Sequence, residues 1–399
     1  MQPTVIILAA GRAERMGRVK ALLPLPLPGG GAACSALAAV ARLYRACGLE
    51  DILVVSGFYA AAVEAEAGVL GLAAARNPAP EEGMFSSVRT GLAALARRHP
   101  GRPVFVHPVD VPLVRPLTVQ ALLAAAREAA ATSPPVFVPA FAGREGHPPL
   151  IPAAAAPRIL AYGGRGGLQG ALADLPRRAV PTPDALMLED MDTPEDYTRL
   201  SALAAARETL SPAEAEVLLA LRAVPEKGLR HARAVGTVAA RFAAELARCR
   251  TAAGMAAQLD PELARAGGLL HDVCKGQPCH ERAGGELLDS LGLPRMAALV
   301  RGHRDLRLPD AQPITERELV CLADKYCHGG EFVPLARRFA LKMAQYAGDA
   351  AACAAIAGRL HRARLLEARL AAETGRAPAD MAQEALAAAA AMPSGGGGA

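Results

Sequence analysis

A chain of 399 residues is long enough for two domains, and its 52% hydrophobic share supports a sizeable core. Aromatics make up only 4% and Trp is absent, which points to alanine-rich helices packed closely and not to aromatic clusters. A net charge of +5 spread over this length is mild; it suits anionic small molecules and makes no strong case for nucleic acid, so no nucleic-acid partner is expected.

Val5-Ile6-Ile7-Leu8 is a β-branched apolar run that predicts a buried strand. It has no basic segment before it and continues into a loop motif, so it reads as a strand and not as a secretion signal. No apolar run approaches the length of a membrane span, and eight irregularly spaced cysteines make no disulfide framework. A cytoplasmic protein without a membrane partner is expected. Ala9-Ala10-Gly11 follows the strand and lets a ligand approach the backbone. Arg12, Arg15, Arg18 and Lys20 come next. A buried strand opening into a small, basic loop can form a nest for phosphates, although the same residues also suit an ordinary strand-to-helix turn with a solvated basic face. The stretch resembles the signature L-A-A-G-x-x-x-R-M-G-x-x-K of nucleotidyltransferases related to molybdenum cofactor cytidylyltransferase, which fixes Gly11, Arg15, Met16, Gly17 and Lys20 together. The resemblance implies that the triphosphate of an NTP lies on Leu8, Ala9, Ala10 and Gly11, with Arg15 and Lys20 neutralising it.

Further along, a helix is expected from about Ala36 to Cys47 and a second buried strand over Asp51–Gly57. Strands alternating with helices indicate a Rossmann-like, mostly parallel α/β sheet, and the resemblance implies the nucleotide-diphospho-sugar transferase type. The loop from Asn77-Pro78 carries Gly83, Met84 and Ser87, which resemble a family segment that helps line the nucleotide pocket; the same residues also suit a plain helix N-terminus capped by Ser86 or Ser87, which is compatible with that role. A third strand, Pro103–Asp110, ends in a carboxylate, where parallel sheets bind ligands. Asp110-Val111-Pro112-Leu113-Val114 resembles the family's D-x-P-L-V, so Asp110 is expected to hold Mg²⁺ against the triphosphate. His107 reads as a packed residue. After a fourth strand, Val136–Pro139, the segment Gly143–Leu150 resembles G-x-x-G-H-P-V-L and makes His147 the candidate contact for the second substrate; a loop histidine can also simply stabilise its turn. The family's G-D-x-G-A-R is replaced by Gly167–Leu172, which lacks its Asp and Arg. Thr193 and Pro194 form a helix start, with Asp192 just before it as an expected second metal ligand and Asp190 a weaker one.

The resemblance covers about the first 200 residues. Ser211, Pro212 and Glu214 compose a capping box that opens a second domain, so the expected organisation is 1–205, 206–392 and a disordered tail at 393–399. The second domain is expected to be all-α. His231, His271-Asp272, His280, His303 and Asp324 stand on separate helical segments, and a bundle can aim such residues at one metal. Cys274 and Cys279 precede His280, but no second pair of cysteines completes a zinc site. The order H…HD…D over His231, His271, Asp272 and Asp324 resembles the HD superfamily of metal-dependent phosphohydrolases. The resemblance implies one or two divalent ions, with His280 and His303 as the extra ligands of two-metal members and Lys275 near a phosphate oxygen. Arg304 replaces a second adjacent His and leaves the ion count open. The donor set suits Mn²⁺, Fe²⁺, Zn²⁺ or Mg²⁺.

The expected activity is therefore bifunctional. CMP would pass from CTP, or a nucleotidyl group from another NTP, to a phosphorylated acceptor such as molybdopterin. Asp272 and Lys275 would serve phosphoester hydrolysis in the second domain. Ala9-Ala10-Gly11 favours the cytidylyl branch of the family, and a molybdoenzyme client would fit that acceptor. A sugar phosphate or an alcohol as acceptor, and an HD domain that only binds nucleotide or metal as a regulatory module, are the alternatives.

Overall fold

The computed structural model describes residues 2–129, 134–255, 259–305 and 312–391; the tail expected at 393–399 lies outside them. The chain divides into two compact units, 1–207 and 208–399.

In the first unit, β1 (Thr4–Ala9) is buried along its whole length, because helices cover both faces of the sheet that it centres. The order continues with a small hairpin of β2 (Pro24–Leu25) and β3 (Cys34–Ser35), then α1 (Ala36–Ala46), β4 (Ile52–Ser56), α2 (Ala60–Val69), β5 (Ala73–Arg76), α3 (Met84–Arg98) and β6 (Val104–Pro108). After these come α4 (Pro116–Glu128), β7 (Val136–Phe141), β8 (Arg144–Glu145), β9 (Leu150–Ile151), α5 (Ala156–Ala161), α6 (Gly167–Leu172), β10 (Arg177–Pro181) and α7 (Pro194–Ala205). The main sheet has the order β10-β7-β9-β6-β1-β4-β5, with β8 on β7. Its pairings β5–β4, β4–β1, β1–β6 and β7–β10 are parallel, while β9 runs antiparallel between β6 and β7. The sheet is thus mixed and mostly parallel. The two-residue period of a strand sends Val5 and Ile7 to the α1, α2 and α4 side, and Ile6 and Leu8 to the α3, α5 and α6 side. The chain winds away from β1 to β4 on one side and to β6 on the other. The loops leaving β1 and β6 therefore part at the carboxyl ends of the strands and open a crevice.

Two local readings change. The third strand stops at Pro108, so Asp110 lies two residues into the loop and not at the strand's last position. The helix α3 begins at Met84 after Gly83, whose φ of 88° only glycine adopts without strain. Ser86 and Ser87 lie inside its first turn and do not cap it; both hydroxyls instead accept from the buried Asn77 amide, at 2.7 and 3.0 Å. The capping box at Thr193 forms as expected.

The second unit contains α8 (Pro212–Leu221), α9 (Glu226–Ala252), α10 (Pro261–Leu270), α11 (His280–Ser290), α12 (Pro294–Arg301), α13 (Glu316–Tyr326), β11 (Cys327–His328), β12 (Glu331–Phe332), α14 (Leu335–Gln345), α15 (Ala350–Thr374) and α16 (Pro378–Ala391). Ser211 opens α8 with the expected capping box. Val235, Val238, Phe242 and Leu246 of α9 pack with Leu319 and Val320 of α13, Leu366 and Leu370 of α15 and Met381 of α16. The unit is helical as expected, with one small addition, the antiparallel hairpin of β11 and β12. Gly329 and Gly330 supply the two positive φ angles, 61° and 107°, that a two-residue hairpin turn requires. Glycine also sets the closest helix contact. A Cβ on Gly268 of α10 would lie 2.6 Å from the Cα of Gly236 on α9, so these backbones pack together only because both residues lack side chains.

Candidate functional sites

The crevice of the first unit is a cleft of about 670 Å³. The loop after β1 forms one wall, and among its lining are Leu8, Ala9, Ala10, Gly11, Arg15 and Lys20. Gly83 and Ser87 from the start of α3 join them, as do Asp110 and Asp192. Apart from Asp190, the nucleotide-contacting and metal-ligating residues expected in this domain thus border one space. Gly57 brings the second strand end close: a Cβ there would lie 2.6 Å from Ala10 Cβ. The Lys20 ammonium donates to Asp110 Oδ2 at 3.0 Å and to Asp192 Oδ1 at 2.6 Å, and Arg15 donates to the other Asp192 oxygen. Partial burial works against the Lys20 charge, but the two carboxylates prevail and hold its pKa above the ordinary value. The Lys20 hydrogen bond in turn holds Asp192 below the usual carboxylate range. Lys20 therefore sits on the carboxylates expected to take Mg²⁺ and not on the triphosphate side, because two anions within reach are its strongest partners in the protein alone. Asp190 is exposed and is not part of this lining.

His147 is exposed and borders a neighbouring cleft of about 660 Å³ with Phe85, Glu145, Gly167 and Arg177. Met84 lines both clefts. His107 is fully buried, its Nε2 2.9 Å from the Val111 carbonyl and its Nδ1 2.9 Å from the Tyr44 hydroxyl, as a packed residue.

In the second unit all six expected ligands converge. His231 lies on α9, His271 caps the end of α10, His280 opens α11, His303 follows α12 and Asp324 lies in α13. They form two groups, His231–His271–Asp324 and Asp272–His280–His303, and within each group one ligand atom per residue lies within 4.8 Å of the others. Asp272 stands between them. Its Oδ2 is 3.3 Å from His271 Nε2 and 3.8 Å from His231 Nε2, and its Oδ1 is 3.1 Å from His280 Nε2 and 3.7 Å from His303 Nε2. Adjacent helical residues diverge by about 100°, but at a helix end the two side chains of His271 and Asp272 reach the same point from different sides. His271 Nδ1 bonds the Gly268 carbonyl at 2.7 Å and His303 Nδ1 the Val300 carbonyl at 2.6 Å. Each backbone bond directs Nε2 inward. Burial works against a charge on His271, but the adjacent Asp272 prevails and raises its pKa, so a cation bound at its Nε2 would take the place of a proton. Among the described residues, buried His271 Nε2 and His231 Nδ1 have no well-formed hydrogen bond, His271 Nε2 meeting only Asp272 Oδ2 at 3.3 Å as an ion-pair contact, and a cation bound at Nε2 of His271 would satisfy that atom.

The charges fit a cation site. Burial pushes the pKa of His231 down and that of His303 down to about 4, leaving both rings neutral near pH 7. Burial also works against the charges of Asp272 and Asp324. The His271 ring and the Lys275 ammonium nevertheless hold Asp272 far below the carboxylate range, and the neighbouring Lys325 does the same for Asp324. Two contributors escaped the sequence reading. Lys325 Nζ lies 2.7 Å from Asp324 Oδ2, and Arg338 of α14 lies 3.2 Å from Oδ1. Lys325 was visible as a neighbour of Asp324, while nothing in the sequence connects Arg338 to it.

Residues 5–180 match the MobA-like NTP transferase domain, and residues 228–328 match the HD domain. The protein is therefore an enzyme that joins a nucleotidyltransferase domain to an HD phosphohydrolase domain, whose His231, His271 and Asp324 form a candidate divalent-metal site. Among solved structures, Rv0371c from Mycobacterium tuberculosis H37Rv is 26% identical over 51% of this chain and 99% of its own, with a TM-score of 0.42. A nucleotidyl transferase from Methanothermobacter thermautotroptrophicus is 21% identical over 51% and 97%, with a TM-score of 0.42. Molybdopterin-guanine dinucleotide biosynthesis protein A from Archaeoglobus fulgidus is 16% identical over 51% and 99%, with a TM-score of 0.37. A comparison with curated proteins finds no match. Among the described residues, no helix is long and apolar enough to cross a membrane.

Proposed function

We propose that the first unit transfers CMP from CTP to a phosphorylated acceptor of the molybdopterin type, releasing pyrophosphate, and that the second hydrolyses a phosphoester at its histidine–aspartate cluster. The observation that carries the transferase reading is the convergence of Asp110 and Asp192 on one point below the basic loop, where Lys20 already holds a positive charge. The same two carboxylates would hold Mg²⁺, which supplies charge neutralisation for the triphosphate. Lys20 and Arg15, turned from the carboxylates to phosphate oxygens, would orient the chain of phosphates together with the backbone of Ala9, Ala10 and Gly11. An acceptor phosphate oxygen forms the new bond to the α-phosphorus as the bond to pyrophosphate breaks. The protein contributes position and charge, not covalent chemistry. The acceptor would enter by the cleft at His147, which adjoins the nucleotide cleft at Met84.

In the second unit His231, His271 and Asp324 would hold one divalent ion and Asp272, His280 and His303 a second. Such ions supply an acidified water and charge neutralisation on the phosphate. Lys275 and Arg338, each already against a ligand carboxylate, would face the phosphate oxygens.

The test has two parts. Pyrophosphate release with the four NTPs and a molybdopterin acceptor should show a preference for CTP; a clear preference for GTP contradicts the reading of Ala9-Ala10-Gly11. Asp272→Ala should lose bound metal and Mn²⁺-dependent phosphatase activity together. Full metal and full activity in that variant would make the six residues structural.

A further inference from the structure

Two mouths lead to the histidine–aspartate cluster. One, about 670 Å³, lies against Val224, Pro225, Leu269 and Val273 and is also lined by Arg222 and Lys227. The other, about 510 Å³, is lined from α14 and α15 and is rich in cations. Some of these cations are matched: Lys275 pairs with Asp272, Lys325 with Asp324, and Arg304 with Glu281. They balance the carboxylates of the cluster and its edge. Lys342 of α14 and Arg359 of α15 are different. Both line this mouth, and among the described residues neither has a carboxylate within 4 Å. Arg338 reaches Asp324 and the Cys327 carbonyl, but among the described residues its buried Nε has no partner. Arg338 and Lys342 are four residues apart on one helix face, an arrangement of like charges that repels unless an anion lies between them. A single phosphate at the cluster would already be met by Lys275 and Arg338, which leaves Lys342 and Arg359 as surplus positive charge further out.

We propose that this mouth is a subsite for a second phosphate of the hydrolase substrate, contacted by Lys342 and Arg359. The enzyme would then favour bisphosphorylated compounds over simple monoesters. The proposal rests on the hydrolase reading above and names the substrate class of that site. In the reaction, water oxygen bonds to the phosphorus held at the cluster, the bond from that phosphorus to the organic oxygen breaks, and the alcohol leaves with a proton. The second phosphate stays intact and serves as the handle.

The experiment uses the full chain loaded with Mn²⁺, with p-nitrophenyl phosphate as the reporter substrate and adenosine 3′,5′-bisphosphate and AMP as competing inhibitors. The bisphosphate should inhibit the wild type more strongly than AMP by about 10-fold, the scale of one or two charge-assisted contacts. Lys342→Ala/Arg359→Ala should remove that advantage, while AMP inhibition, kcat/KM for the reporter and metal content stay near wild type. Equal inhibition of the wild type by both compounds overturns the proposal, as does equal weakening of both in the variant. Absence of metal-dependent reporter hydrolysis in the wild type overturns the hydrolase reading itself and this proposal with it. Hydrolysis without a bisphosphate advantage overturns the proposal alone.

Discussion

Gly268→Ala should separate α9 from α10 and cost the second unit its metal. An alanine Cβ at 268 would stand 2.6 Å from the Cα and N of Gly236 and 2.9 Å from the carbonyl carbon of Val235. All three are backbone atoms of α9, which cannot move without moving the helix. At the adjacent Gly267 the same Cβ would meet Leu299 Cδ1 at 3.2 Å and Val320 Cγ2 at 3.3 Å, the ends of side chains that can give way. Both substitutions gain about 1 kcal/mol of helix propensity. Overpacking costs about 1–3 kcal/mol, more where backbone is the obstacle, so Gly268→Ala should destabilise by about 1–2 kcal/mol net or more. Gly267→Ala should fall within about 1 kcal/mol of wild type, because its overpacking is relieved by small side-chain shifts. The first change also displaces His231 from His271, whose ring centroids are 5.2 Å apart, and metal ligands tolerate only about 0.2 Å of misplacement. Thermal unfolding, where 1 kcal/mol moves the midpoint by about 2–4 °C, and Mn²⁺ content of the two variants decide the matter. A Gly268→Ala protein with the melting point and metal content of Gly267→Ala would refute the reasoning.

Asp110→Ala should abolish nucleotidyl transfer and leave phosphoester hydrolysis near normal, because Asp110 serves only the first unit's cleft; equal loss of both activities in a folded variant would contradict separate sites. The pH dependence of the first unit should carry a signature of His107. Burial pushes its pKa down to about 3, so between the unfolded value near 6.5 and that value the unfolded chain takes up a proton that the folded chain refuses. Stability is full above pH 6.5 and falls as pH falls, by about 2–3 kcal/mol from this group between pH 6.5 and 4.5. His107→Gln, which can still donate and accept a hydrogen bond, should flatten the loss measured by urea unfolding at the two pH values. An unchanged pH slope would show that His107 is not held neutral.

The features legible from sequence were those in which the physics acts over a few residues. The apolar run Val5–Leu8 has no polar face to leave in water and so demands cover on both sides, and the boxes at Thr193 and Ser211 close between residues three apart. The candidate residues of the basic loop and of the histidine–aspartate cluster could also be named, because they resemble family signatures written along the chain. Even here local chemistry misleads when a distant residue competes: the hydroxyls of Ser86 and Ser87 are claimed by Asn77, and Gly83 starts the helix instead.

What the tertiary structure decided is how distant residues share space. The sequence named His231, His271, Asp272, His280, His303 and Asp324 but could not divide them into two groups, because the division depends on how α9, α10, α11, α12 and α13 pack. The approach of α10 to α9 depends on Gly236 and Gly268, 32 residues apart, whose contact no local pattern announces. Lys20 lies 90 residues from Asp110 and 172 from Asp192, and only the fold of the sheet brings the ammonium between them. Residue chemistry states what a side chain can bind, but packing of elements remote in sequence determines which partner comes within reach of it.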